Sequence, residues 1–200
     1  VGYAFLFNAA TYFAVLISLF KISIRFQAPE KYVSPIAAMR QGLLYVWQNS
    51  GIRFLLIYTM LTTIFGWAFM AIMPVIAAQV FDAGPEGLGY LSTAVGIGAV
   101  ISGILVSALF HSVGSRTFII GGNVLLGLSL LVFSFMDNLY GGFAVLLVAG
   151  FALIGNFAVV NTTLQHAVAD SFRGRVMAIY ASSLRGMMPV GGFLIGALAD

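Results

Sequence analysis

The 200-residue sequence contains no cysteine. That excludes disulfides, thiolate metal sites and cysteine nucleophiles, and it leaves the compartment open. Charge is nearly as scarce. Asp, Glu, Lys and Arg make up 8% of the residues, against about 25% in an ordinary soluble domain. With 61% hydrophobic residues, the chain cannot cover a water-facing surface and reads as an integral membrane protein embedded in a lipid bilayer. The net charge of +3 is small and the nine cations form no stripe, so nucleic-acid binding has no support. His111 and His166 stand far apart with no acids at ligand spacing, so no metal site is expected. Every glycine-rich stretch lies inside an apolar run and none carries the lysine of a phosphate-binding loop. No cofactor is expected, and enzymatic chemistry finds no footing.

What is present is a series of long apolar runs. Residues 1–20 form a nearly uncharged run, long enough as helix to cross a hydrocarbon core of about 30 Å. No basic segment precedes it, and Lys21 and Arg25 follow it, so it does not read as a signal peptide. Further spans are expected at 52–80, 88–110, 117–136, 140–165 and 176–199, making six and an all-α polytopic bundle. Gly66 and Pro74 interrupt the second, and Pro74 should kink it by removing a helical hydrogen bond. Small residues at steps of three or four, Gly89, Ser92, Gly96, Ala99, Gly103 and Ser107, predict a close-packing face on the third. Gly192 and Gly196 predict another on the last. The longest polar segment, 21–51, should hold a surface-lying amphipathic helix. It opens at Ser34-Pro35, carries Ile36, Met39, Leu43 and Val46 at helical spacing, and ends at Asn49-Ser50-Gly51.

Two polar residues stand at depth. Arg185 lies ten residues beyond Arg175, which at about 1.5 Å per residue is roughly 15 Å into the membrane. An arginine there costs roughly 2.5–3.5 kcal/mol on insertion scales, so it needs a water-filled cavity, a substrate or an acidic or carbonyl partner. Asn156, mid-way along the fifth span, is the second candidate for a substrate pathway, with interhelical bonding as its plainer role. Cations set the orientation. With 21–51 in the cytoplasm, eight of the nine cations lie inside, while Asp82, Glu86, Asp137 and Asp200 fall in outer turns that carry none.

The segment Asn161 to Asp200 carries the most specific pattern. Gln165, the turn Ala169-Asp170-Ser171-Phe172 and then Arg173-Gly174-Arg175-Val176-Met177 follow one another. This order resembles the cytoplasmic turn between the tenth and eleventh helices of major facilitator superfamily transporters, most closely the exporter branch that includes the enterobactin exporter. Ala169 stands where that branch has proline. Arg40 to Trp47 is similar to the branch's helix before the seventh span. His111 to Arg116 matches the loop between helices eight and nine only at Gly114 and Arg116, with Ser107 and His111 replacing its glycine and aspartate.

The resemblance implies a partial major facilitator bundle, about helices six to eleven. Residues 1–20 would be the last helix of the first half, 21–51 a cytoplasmic linker and 52–200 most of the second half, with the rest of the first half missing from this stretch. It implies export of a small molecule such as a siderophore or drug, driven by an ion gradient, in a bacterial inner membrane. H+ is the expected coupling ion, and its carrier is expected in the missing half, because no acid lies at depth here. Asp170, Arg173, Gly174, Arg175 and Arg116 would then form a cytoplasmic gate, or else anchor helix ends among anionic headgroups. Two other readings stay open: a permease that needs a separate ATPase, with residues 35–48 as its docking helix, and a non-transporting membrane scaffold.

Overall fold

The computed structural model describes residues 2–21 and 34–199, and among these the side chains of residues 4, 107–113 and 199 are not described. The polar stretch 22–33, the roles expected of Ser107 and His111, and the place of Asp200 therefore lie outside the described residues. The described chain is helical and contains no strand, as expected for an all-α bundle. The helices are α1 (Gly2–Lys21), α2 (Pro35–Gln48), α3 (Ser50–Gly66), α4 (Phe69–Val75), α5 (Gly84–Val113), α6 (Ser115–Phe133), α7 (Leu139–Ala167) and α8 (Asp170–Ala199), with a π-helical turn over Ile76–Val80.

Two compact units emerge, Val1–Ser34 and Pro35–Asp200. The first holds α1, whose Phe5, Phe7, Phe13 and Phe20 are all exposed. In the second, four stretches are long and apolar enough to cross a membrane: Ser50–Val80, Gly84–Val106, Ser115–Phe133 and Leu139–Ala167. Six were expected. The described apolar part of α1, Phe5–Lys21, is slightly short by the same standard. The 30-residue α8 has the length, but Ser182, Ser183 and Arg185 in its middle make it less apolar. Phe54, Phe65, Ile104, Leu128 and Phe135 of the second unit point outward. Such an apolar exterior suits lipid and not water.

The first of these stretches is broken twice. α3 stops at Gly66, and the chain turns through Met70 N–H to Trp67 O (3.1 Å) and Ala71 N–H to Ala68 O (3.0 Å). Pro74 has no N–H to offer. Two residues later the bonding widens, with Phe81 N–H reaching Ile76 O at 3.2 Å. The kink expected at Pro74 thus takes the form of a π-helical turn, which keeps later carbonyls bonded where no water could replace them.

α7 is the central helix and packs against both α5 and α6. Its Leu146, Ala149, Leu153, Val159, Val160 and Leu164 are completely buried. Backbones nearly touch along the α5–α7 seam. A Cβ at Gly98 would sit 2.0 Å from the Leu147 carbonyl oxygen, and one at Gly150 would sit 2.4 Å from that of Val95. The face singled out in the sequence lies elsewhere. A Cβ at Gly89, Gly96 or Gly103 would meet nothing within 4 Å. The physical reason is that α5 carries small residues on two neighbouring faces, and only the shape of α7 selects the one through Gly98 and Ser102. On α8 the tight contact is likewise at Gly191, whose Cβ would lie 2.4 Å from the Ile64 carbonyl oxygen. Gly192 makes an ordinary contact with Ala71 at 3.4 Å, and Gly196 meets nothing within 4 Å.

Several hydroxyls in the spans bond along their own helices. Thr59, Thr63, Ser129 and Thr163 donate to the carbonyls of Leu55, Thr59, Leu125 and Val159, at 2.8, 2.8, 2.7 and 2.7 Å. Asn138 caps α7 by accepting from Gly141 N–H at 2.7 Å. Gly114 alone joins α5 to α6 at φ +75, a left-handed geometry that favours glycine.

The two glycine faces make opposite predictions. Gly98→Ala forces a Cβ into backbone and should destabilise by about 1–3 kcal/mol or more. Gly96→Ala should leave folding unchanged. Thermal retention of the monodisperse protein in detergent compares them, and equal effects would contradict the assigned seam.

Candidate functional site

The turn between α7 and α8 is shorter than the sequence pattern implies. A sixth span was expected from about residue 176, but α8 already begins at Asp170, leaving only Val168 and Ala169 outside helix. Val168 N–H closes α7 on Leu164 O at 3.0 Å, and Phe172 N–H opens α8 on Ala169 O at 2.9 Å. The physical reason is that Asp170 lies in the first turn of α8, where a carboxylate meets the positive end of the helix dipole. Asp170, Arg173, Gly174 and Arg175 are therefore the first two turns of a helix and not a loop.

Asp170 and Arg173 pair with each other at 2.5 Å across one turn, and both are exposed. Such a pair is worth about 0–1 kcal/mol. The Arg175 guanidinium carbon sits 5.3 Å from the centre of the Phe172 ring, a cation–π contact. Gly174 is exposed with open space around it. Arg116 is not part of this group. It stands on the first turn of α6 and lines a cleft of 1020 Å³ with Gln48, Asn49, Tyr58 and Thr163.

Arg185 lies mid-way along α8 and is exposed. The packed face of α8 is drawn by Val176, Tyr180, Ser183 and Gly191, all buried. Tyr180 donates to Phe157 O at 3.1 Å and Ser183 to Ile179 O at 2.8 Å. Arg185, with exposed Ser182 and Pro189, is off that face. Among the described residues no acid pairs with it.

Asn156 is placed quite differently. It is wholly buried between α7 and α6, in a notch where Gly122 has no side chain. A Cβ at Gly122 would come within 2.7 Å of the Asn156 amide nitrogen. Neither its amide oxygen nor its amide nitrogen has a hydrogen-bond partner among the described residues, and the same holds for buried Ser102 Oγ. Asn156 thus makes no interhelical hydrogen bond to a described residue and does not share an environment with Arg185. Among the described residues no three His, Asp or Glu side chains gather as a metal site requires.

One connection escaped the sequence pattern. Tyr45 of α2 stacks on Phe172 of α8, with ring centres 4.3 Å apart and planes within 9°. Its hydroxyl oxygen accepts from Ala169 N–H at 3.2 Å. Gly42 lies against Arg175 and Ile179. A glycine inside an amphipathic helix, costing about 1 kcal/mol relative to alanine, was the one available sign of a close approach.

These features define a polytopic helical membrane protein whose last described helix presents an unpacked face with a cation mid-way along it. Residues 1–200 in full match the transmembrane secretion effector family of the major facilitator superfamily, and the chain belongs to that family. It is also 24% identical over 178 residues to the multidrug efflux pump Tap of Mycolicibacterium fortuitum, a match covering 86% of this chain and 43% of that relative. The chain thus spans less than half the length of that relative.

The unpaired amide yields a stability prediction. Asn156→Leu, close in shape, removes a buried group that has no partner among the described residues, and such a change is neutral or stabilising. The variant should match or exceed the parent in thermal stability. A clear loss would show that the amide is bonded in the intact protein.

Proposed function

We propose that this chain supplies one helix of the first half and most of the second half of a secondary active exporter in a bacterial cytoplasmic membrane. The observation that carries this reading is Arg185. It is a permanently charged group, mid-way along a helix, on the face that the rest of the unit leaves uncovered. In hydrocarbon that placement is costly. Facing a water-filled path, it becomes a binding group for an anionic or acceptor-rich substrate. Family membership and the multidrug efflux relative support export of small organic molecules. Drug-like compounds are the favoured substrate class, with siderophores as the second.

The proposed driving force is an ion gradient, in practice protons exchanged for substrate. Asp82, Glu86, Asp137 and Asp170 all lie at or beside helix ends, so the proton carrier is assigned to the missing first half. The open face of Gly89, Gly96 and Gly103 is a natural surface for that half to approach. Arg173, Arg175 and Arg116 would lie on the cytoplasmic side, the first two at the inner gate. A permease dependent on a separate ATPase needs a helix free to dock a partner. The one candidate, α2, has one face engaged by α8 and leaves Ile36, Met39 and Leu43 exposed, so ATPase dependence stays the second reading.

In the full-length protein, Arg185→Ala should abolish transport of an acceptor-rich substrate while membrane insertion is kept. Arg185→Lys should restore it only in part, because lysine lacks the planar fork. Uptake into everted vesicles measures this. Normal transport by Arg185→Ala would remove the cavity role, and loss of insertion would make the arginine structural.

A further inference from the structure

The sequence marks α2 as a linker helix lying on the membrane surface. In the structure it is held at its C-terminal end and along its middle by α3 and α8. At its C-terminal end only Asn49 separates it from α3. Asn49 Nδ2 donates to Tyr45 O at 2.7 Å, Arg53 donates to Trp47 O at 2.7 Å, and the Arg53 guanidinium carbon lies 5.2 Å from the centre of a Trp47 ring. Arg53 thus satisfies a carbonyl at the negative end of the α2 dipole. Asn49 and Arg53 bridge the α2–α3 corner with two side-chain hydrogen bonds.

The middle of α2 lies against α8. The packed face is not the one given by Ile36, Met39 and Leu43, which are exposed, but the one through Gly42, Tyr45 and Val46. A Cβ at Gly42 would come within 3.1 Å of Arg175 Cβ and 3.2 Å of Ile179 Cδ1. Glycine lets the two helices meet there. One turn on, Tyr45 reaches the α7–α8 turn with both parts of its side chain. The ring lies flat on Phe172, and the hydroxyl accepts the N–H of Ala169. Ala169 immediately precedes α8, where helix N–H groups lack intrahelical partners, so a residue 124 positions away in sequence serves as a cap. Phe172 in turn carries the Arg175 guanidinium.

We infer that Tyr45 is a positioning residue for the hinge cations. It ties α2, the α7–α8 turn and the start of α8 into one body, so that Arg173 and Arg175 are set by the linker helix as well as by their own helix. This rests on the reading of the chain as an exporter with a cytoplasmic hinge, and it makes α2 part of the moving gate rather than a passive tether.

The test uses the full-length protein with Val168, a buried residue of the α7–α8 turn, replaced as Val168→Cys. The rate of labelling by a membrane-impermeant maleimide in everted vesicles reports how freely the turn opens. Tyr45→Phe keeps the stack and loses the hydroxyl, and should raise the labelling rate roughly threefold to tenfold, the equivalent of one hydrogen bond. Tyr45→Ala should raise it further. Gly42→Leu, which wedges α2 from α8 without touching Tyr45, should act in the same direction. In transport, Tyr45→Phe should change the maximal rate more than the KM, because substrate contacts are elsewhere. Unchanged labelling in both Tyr45→Phe and Gly42→Leu overturns the proposal, and an altered KM with unchanged maximal rate does so too. Should Tyr45→Ala fail to insert, the Phe and Gly42 variants still decide. Faster labelling in a protein that moves no substrate would uphold the clamp and overturn the export reading alone.

Discussion

Helices in lipid gain nothing by hiding apolar side chains from a solvent that is itself apolar, so the bundle depends on how closely backbones can approach. Three contacts show this. Gly98 meets the backbone of Leu147, Gly150 that of Val95, and Gly191 that of Ile64. The first two dock α5 on α7 and the third sets α8 against α3. Each partner is main chain, which cannot turn aside as a side chain can. Replacing these glycines would separate helices rather than repack a core. The same solvent forces buried hydroxyls to bond within their own helices, as Thr59, Thr63, Ser129 and Thr163 do. Tyr180 instead bonds across to Phe157 O of α7, and Tyr58 Oη, Ser102 Oγ and the Asn156 amide have no hydrogen-bond partner among the described residues.

The end formed by α2 and the α7–α8 turn is built on different physics. There the contacts are aromatic, charged and capping: Tyr45 on Phe172, Arg175 beside the same ring, Arg53 on Trp47, and Asp170 with Arg173. Each is worth about a kilocalorie per mole or less. A close-packed glycine seam therefore gives way to an assembly of weak, separable contacts at the turn.

Much of the fold was legible because composition and run length constrain membrane helices so strongly. The ends of α5, α6 and α7 fall within about four residues of the positions read from hydropathy. What the sequence left undetermined was which face of a helix meets which neighbour. On α5 the stripe through Gly89, Gly96 and Gly103 is the more regular, but the contact is made by Gly98, because the shape of α7 decides. α8 begins at Asp170, six residues before the span read from hydropathy, because a helix end accommodates Arg173 and Arg175 beside Asp170. The role of Tyr45 depends on a contact across 124 residues, which no local pattern encodes. Arg185 was found from depth arithmetic, and it stands exposed mid-way along α8.

On the proposed reading, the uncovered face of α8 lines a water-filled path in the full-length protein. Cysteine scanning along α8 tests it directly, because the chain contributes no cysteine of its own. Single cysteines at Ser182, Arg185 and Pro189 should react with a small water-soluble thiol reagent and be protected by substrate, while one at Ser183 should not react. Lack of reaction at all three exposed positions, in a protein that is inserted and folded, would place this face against lipid or protein and contradict the account.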